Sequence, residues 1–228
     1  MKKRLVVLSG AGISAESGLR TFRDSDGLWE GYNVHEVATP RGFAANPQLV
    51  LDFYNMRRRD VAAATPNAAH KGLAILEEHF DVHIITQNID DLHERGGSTK
   101  VMHLHGEIFK MRSVADPFTT YPITGDINLG DTAPDGYQLR PFIVWFEEEV
   151  PMLGEAIPLV ASADIFVVIG TSLQVYPAAG LVNYARREIP KYIVDKKIPA
   201  SRIPNITSIE KPAGEGIVDL TDYLMQHR

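Results

Sequence analysis

The chain has 228 residues, 44% hydrophobic and 23% charged, with a formal net charge of −6 and no cysteine. That length and composition suit one soluble globular domain, or one domain with an insertion, large enough to bury a real core. They exclude disulfides and thiolate metal sites, and the acidic balance, without a basic tail or an apolar run of spanning length, argues against direct nucleic-acid binding and against a membrane span.

Met-Lys-Lys-Arg passes directly into a strand-like run with no cleavage site, so a cytoplasmic location is expected. Leu5–Leu8 is apolar throughout and breaks at Ser9 into Gly10-Ala11-Gly12. Glycines after a buried strand serve equally as a phosphate cradle or as a tight strand-to-helix turn, and position 15 lacks the glycine of the usual dinucleotide fingerprint. Further β-type runs follow at Val82–Thr86, Lys100–Leu104, Asp164–Ile169, Tyr192–Val194 and Ile206–Ile209. Most are short, β-branched and apolar on both faces, as in a buried parallel sheet.

Helical patterns lie between them. Asn46-Pro47 reads as an N-cap with proline at the first helical position, opening a helix to about Ala63. Thr65-Pro66 repeats that signal, and Ala69, Leu73, Leu76 and Phe80 keep helical spacing. Helices are also expected over Met152 to Ser162, from Pro177 to Arg187, and from Glu215 to Gln226. Alternating strands and helices predict an α/β fold with a Rossmann-like open parallel sheet. Two segments break the alternation. Residues 31–79 are helical with no strand, and 110–141 are rich in Pro, Gly, Asp and Thr. The expected division is therefore a Rossmann-like domain over 1–30, 80–109 and 142–228, and a smaller lobe formed by two insertions, 31–79 and 110–141.

Open α/β sheets bind ligands at the carboxyl ends of their strands. Here those ends carry Gly10-Ala11-Gly12, Gln87-Asn88-Ile89-Asp90, His105-Gly106-Glu107, Gly170-Thr171-Ser172 and Asp195-Lys196-Lys197. Polar turns alone account for any one of these exits. Together they predict a single polar site, and glycine turns with hydroxyls suit a dinucleotide better than a metal. Asn88 and Asp90 suit a carboxamide, Asp195 suits an adenosine ribose hydroxyl, and His105 suits a general base. His70, His79, His83, His93 and His103 fall in helical or strand patterns where packing or surface roles prevail, although spacing alone does not separate His103 from His105.

The ordered motifs GAGISAESG at 10–18, TFR at 21–23, GLW at 27–29, TQNIDDLHERGG at 86–97, LHGE at 104–107 and GTSLQVYPAAG at 170–180 span most of the chain. In them the chain resembles the sirtuins, NAD-dependent protein-lysine deacylases, and most closely their short bacterial branch. The resemblance implies that His105 is the catalytic base on a ribose hydroxyl. It places Gln87, Asn88, Ile89 and Asp90 around nicotinamide and its ribose, and Gly10, Ala11, Gly12 and Ala15 against the dinucleotide. Thr21, Phe22 and Arg23 would lie on a covering loop that runs to Trp29. Gly170, Thr171 and Ser172 would serve phosphate and ribose, with Asp195, Lys196, Lys197 and Ala213 near the adenosine. The implied reaction moves the acyl group of a lysine to ADP-ribose with loss of nicotinamide. Val144, Trp145 and Phe146 would pair with the acyl-lysine peptide, and acyl-lysine proteins are the implied partners, met by a monomer.

Tyr54 and Arg57, three apart on a helix, share a face, and a phenol with a guanidinium suits a carboxylate. Read as a plain charged run, Arg57-Arg58-Arg59 is a solvated face. The resemblance instead identifies Tyr-x-x-Arg with sirtuins that remove succinyl and malonyl groups. Two departures stand out. Most sirtuins carry four zinc-binding cysteines in the small lobe, whereas Met111 to Arg140 offers Asp116, Asp126, Asp131 and Asp135 without histidine. No zinc is therefore expected, and packing of Phe118, Tyr121, Ile123, Ile127, Leu129 and Tyr137 is expected to hold the lobe. Glu147 follows the aromatic pair where the family usually has glycine, so crowding of the peptide path is expected. Two alternatives share the cofactor motifs: protein mono-ADP-ribosyl transfer, and an NAD-binding interaction module with weakened catalysis. The intact His105 and the Tyr54/Arg57 pair favour deacylation.

Overall fold

The computed structural model describes residues 2–20, 28–29, 31–198 and 203–226. Its strands are β1 (Arg4–Ser9), β2 (Leu28–Trp29), β3 (Tyr32–Asn33), β4 (Asp81–Thr86), β5 (Val101–His103), β6 (Gly106–Ser113), β7 (Thr120–Pro122), β8 (Leu139–Ile143), β9 (Ile165–Ile169), β10 (Lys191–Val194) and β11 (Ile206–Ile209). Its α-helices are α1 (Val34–Val37), α2 (Pro40–Ala45), α3 (Pro47–Ala63), α4 (Ala68–Ile75), α5 (Leu92–Arg95), α6 (Leu153–Ala161) and α7 (Ala213–Met225).

Six strands form one sheet in the order β11-β10-β9-β1-β4-β5, every neighbouring pair parallel. The continuous apolar runs follow from burial on both faces. Leu5 and Val7 of β1 join a cluster that includes Leu73 of α4 and Ile217 and Leu220 of α7. Val6 and Leu8 join the opposite cluster with Ala156 and Val160 of α6. From β1 the chain order runs outward in both directions, through β4 to β5 and through β9 to β11. The β1/β9 junction is thus the switch point where such sheets open a crevice.

A separate sheet, β7-β6-β8, is antiparallel. Between it and the large sheet lies a third cluster, in which Phe53, Tyr54 and Val61 of α3 meet Leu92, Ile108, Ile143 and Trp145. A fourth, small cluster of Leu51, Ile127, Ala133 and Leu139 closes the outer part of the module.

Several local expectations need correction. The segment 31–79 contains one short strand, Tyr32–Asn33, paired with Leu28–Trp29. The helix expected at Thr65-Pro66 is capped by Asn67, whose side chain accepts from Ala69 N at 2.9 Å while His70 Nδ1 accepts from Asn67 N at 3.3 Å. That reciprocal pair satisfies two helix-end groups, which Thr65 does not. The helix expected from Pro177 is a 3-10 turn over Ala178–Tyr184. In the small module, Ile127 is buried and Tyr121 and Ile123 pack against its cluster, but Phe118, Leu129 and Tyr137 are exposed, Phe118 by 88%. A three-stranded sheet covered by α3 on one side has only one interior face, so those three side chains have nothing to pack under. Polar bonds from α3 take their place. Asn55 accepts from Ile127 N and donates to Ile127 O, both at 2.9 Å. The buried Arg58 donates to Ile108 O, Gly125 O and Asn55 Oδ1 at 2.9, 3.0 and 2.9 Å.

Candidate active site

The two glycine turns of the switch point pack on each other. Gly10 N donates to Ile169 O at 3.1 Å, and Gly12 N donates to Gly170 O at 2.7 Å. A Cβ on Gly10 would lie 2.7 Å from Thr171 Cβ, and one on Gly12 would lie 2.7 Å from Gly170 O. Gly170 itself has φ +65°, a conformation that favours glycine. The spacing of Gly10 and Gly12 therefore answers first to the meeting of β1 and β9.

That junction opens into a cavity of about 1040 Å³. Gly10, Ala11, Gly12, Trp29, Gln87, Asn88, Ile89, Asp90, His105, Gly170, Thr171, Ser172 and Lys197 line it, as do Tyr54, Arg57, Val144, Trp145 and Phe146. The remaining assignments are not among its lining residues. Ala15 occupies the next 3-10 turn, whose Glu16 accepts from Gly214 N at 2.7 Å and so sits against the start of α7, where Ala213 is buried. Asp195 is buried and accepts from Lys197 N at 3.1 Å, while Lys196 is exposed. Thr21, Phe22 and Arg23 lie outside the described residues.

Gln87–Asp90 crosses the floor as a held segment. Gln87 N donates to Ser9 O at 3.0 Å, and its side chain donates to Thr171 Oγ1 at 3.2 Å. Asn88 Nδ2 donates to Ser14 Oγ at 3.1 Å, and Ser14 Oγ donates to Asp90 Oδ2 at 3.0 Å. Asp90 also accepts from Leu92 N at 3.2 Å. Burial pushes the Asp90 carboxyl upward, against the Leu92 amide, the Ser14 hydroxyl and the charge of His103, which pull it down. Ser14 joins both side chains yet carried no assignment in the sequence; only its place inside the glycine motif could have marked it.

His105 follows β5 in the turn before β6. Its Nδ1 lies 3.0 Å from Gln87 O. A carbonyl only accepts, so Nδ1 carries the proton and Nε2 keeps a lone pair. Burial lowers its pKa, partly offset by that carbonyl, and the imidazole is neutral at pH 7. His105 can therefore accept a proton at Nε2. His103 does not line the cavity. The fully buried His70 and His93 meet edge to face with centroids 5.0 Å apart, and His93 shares a 2.9 Å hydrogen bond with Ser9 Oγ at the end of β1. Burial lowers both, His70 to about 4, so they are neutral packing groups.

The far wall is aromatic. Tyr54 is fully buried, with ring contacts to Trp29 at 6.2 Å and Trp145 at 6.4 Å. Neither Tyr54 Oη nor Trp145 Nε1 completes a hydrogen bond. Burial raises the phenol pKa, so the hydroxyl stays protonated. Arg57 lies with its guanidinium carbon 5.4 Å from the Trp29 ring centroid. Arg140, unassigned in the sequence, stacks 3.2 Å from the Trp145 ring centroid and donates to Glu148 at 2.7 and 3.1 Å. Glu148 in turn accepts from Trp145 N at 2.8 Å, which fixes the loop after β8. Glu147 adopts φ +75°, unusual for a side-chain-bearing residue, and forms an ion pair with the exposed Arg41. Among the described residues no three His, Asp or Glu side chains converge as a metal-binding group, and no helix is long and apolar enough to cross a membrane.

Residues 10–177 match the model of the Sir2 family. An NAD-dependent protein deacylase of Helicobacter pylori is 55% identical over 225 residues, covering 98% of each chain. A solved Sir2 homolog–NAD complex superposes with a TM-score of 0.87 at 36% identity, covering 99% of this chain and 91% of the other. A mutant Sir2 with a p53 peptide and NAD superposes with a TM-score of 0.80 at 30% identity, covering 98% and 94%. The glycine-turn crevice, the held Gln87–Asp90 segment and the buried His105 are thus set in a fold and sequence shared with these proteins along nearly their whole length, and the chain belongs to the Sir2 family.

Proposed function

We infer that this protein removes acyl groups from lysine side chains of proteins in an NAD-dependent reaction that yields nicotinamide and O-acyl-ADP-ribose. The observation that carries the reading is the convergence on one cavity of His105, with Nδ1–H committed to Gln87, and the Ser14–Asn88–Asp90 network. The residues present suit NAD. Two glycine turns, the Thr171 and Ser172 hydroxyls and the Gln87, Asn88 and Asp90 side chains supply phosphate, ribose and carboxamide partners. The cavity also slightly exceeds the roughly 300–1,000 Å³ of ordinary ligand pockets, leaving room for an acyl-lysine arm. Bound NAD supplies the ribose carbon that receives the acyl oxygen and the nicotinamide that departs.

The chain's own residues do the rest. Gly10, Ala11, Gly12, Gly170, Thr171 and Ser172 hold phosphate and ribose, with Ala15, Asp195, Lys196, Lys197 and Ala213 toward the adenosine. Asn88 and Asp90, fixed through Ser14, orient the carboxamide. His105 takes a proton from a ribose hydroxyl at Nε2. Trp29 lies toward the dinucleotide and Ile89 toward nicotinamide and its ribose, while Val144, Trp145 and Phe146 bound the acyl-lysine side; together they exclude water, so that the acyl oxygen rather than water meets the reactive carbon. Cytoplasmic action as a monomer belongs to the same reading.

The acyl range extends to succinyl and malonyl groups. The supporting observation is that Tyr54 brings a buried, unpartnered hydroxyl and Arg57 a guanidinium to the same cavity wall. A carboxylate-tipped acyl chain accepts from both. Arg57→Met is expected to lower kcat/KM for a succinyl-lysine peptide about 10- to 100-fold, the worth of a charged hydrogen bond, while acetyl-peptide turnover changes by less than about threefold. Equal losses on the two peptides would remove the acid-pocket reading.

A further inference from the structure

Two histidines two residues apart present the same atom to consecutive links of one segment. His105 Nδ1 donates to Gln87 O at 3.0 Å, and His103 Nδ1 donates to Asn88 O at 2.9 Å. They differ at the other nitrogen. Nε2 of His103 lies 2.8 Å from Glu94 Oε1 of α5. A backbone carbonyl and a carboxylate both accept, so His103 makes both contacts only with a proton on each nitrogen. His103 thus sits as an imidazolium directly behind the floor of the site, where His105 is a neutral base.

We propose that His103, clamped by Glu94, is a positioning residue that fixes the Gln87–Asp90 segment for NAD binding. Asn88 is then held from both sides, its backbone carbonyl by His103 and its side chain by Ser14, which also binds Asp90. The same positive charge acts on the buried Asp90 and favours its carboxylate. The charged and titratable groups that interact with His103 are Glu94 and His93 of α5, Asp90 of the segment, and Glu107 of β6, itself bound by Lys110 at 2.6 Å. Burial opposes the imidazolium, but the Glu94 bond and charge, the Asn88 carbonyl and Glu107 outweigh it, and the pKa of His103 is raised. The sign follows. The clamp is complete below the ordinary histidine value of about 6.5 and is lost as pH rises through the raised value.

The inference rests on the deacylase reading of this cavity, so the experiment separates the two. Wild-type turnover of an acetyl-lysine peptide with NAD is measured first, and its absence would reject the deacylase reading itself. In a turning-over protein, His103→Leu is expected to raise the KM for NAD about tenfold, with kcat changed by less than about threefold. His103→Asn, whose amide can still donate to Asn88 O, is expected to recover most of that loss. Glu94→Gln keeps a polar partner without the charge, so the rise in KM(NAD) with pH is expected to begin at lower pH than in wild type. A wild-type KM(NAD) in His103→Leu, or a pH profile unmoved by Glu94→Gln, would overturn the proposal. Should His103→Leu fail to fold, the Glu94→Gln profile and the His103→Asn KM decide it.

Discussion

The carboxyl edge of the parallel sheet and the β6–β8 module are stabilised in opposite ways. At the sheet edge, apolar strands buried on both faces fix the backbone, and short bonds such as Gly12 N to Gly170 O join one strand exit to the next. The module has a small apolar interior and depends on two polar side chains of α3, Asn55 and Arg58. The difference shows how one helix can serve both regions. Tyr54 and Arg57 face the cavity, while the next pair at the same spacing, Asn55 and Arg58, grips the module. Any loosening of the module therefore reaches that cavity wall through α3 as well as through the loop after β8.

The sharpest way to break this contrast is Arg58→Met. Burial lowers the Arg58 pKa to about 10, yet the guanidinium remains charged at neutral pH and bonded to two carbonyls and Asn55. Removing it strands those buried acceptors, at a loss of about 3 kcal/mol in unfolding free energy. Denaturant unfolding measures that loss, and limited proteolysis is expected to cut first within 114–138. A loss below about 0.5 kcal/mol, the range of ordinary surface changes, would show that the module stands without the clamp.

Glu147→Gly tests the loop that joins the two regions. Glycine relieves a left-handed backbone costing about 1 kcal/mol, at the loss of an exposed ion pair to Arg41. Thermal stability is expected to hold or rise, and peptide KM to fall about two- to fivefold as the side chain leaves the cavity wall, each kcal/mol being worth roughly that factor. A higher KM with lower stability would mean that Glu147 helps to hold the loop. The smallest effect is expected from Phe118→Ser: with 88% of Phe118 exposed, unfolding should shift by less than about 0.5 kcal/mol, as for surface positions generally. A larger change would restore Phe118 to the packing role that its hydrophobicity suggests.

The same contrast explains what could be read in advance. Runs such as Leu5–Leu8 and Ile165–Ile169 announce a doubly covered sheet because burial on both faces demands unbroken apolar sequence. Once the parallel sheet is expected, its strand exits follow, and with them Gly10, Gln87, His105 and Gly170 at one cavity. The clamp was hidden because it is made by contacts 50 to 72 residues apart between polar groups that, read locally, describe a charged helix face. Arg140 and Glu148 are only eight residues apart, but an Arg and a Glu flanking an aromatic run read as ordinary surface charges; only the fold shows that their ion pair holds the Trp145 amide and ring. Phe118, Leu129 and Tyr137 misled because hydrophobicity states a preference for burial, and a one-faced module cannot satisfy all such residues. The Thr65-Pro66 signal falls just short of the helix, where reciprocal bonding with His70 makes Asn67 the cap.

The most direct test of the account is the rate of nicotinamide release from NAD in the presence of an acetyl-lysine peptide, followed across pH in wild type and His105→Tyr. Because burial lowers the His105 pKa, the wild-type rate is expected to be level at neutral pH and to fall only as pH drops below the ordinary histidine value of about 6.5. His105→Tyr is expected to lose about 10²- to 10⁴-fold, the usual worth of a general base. A variant that releases nicotinamide at the wild-type rate, with the same acid limb, would contradict the assignment of His105 and with it the chemistry proposed for this cavity.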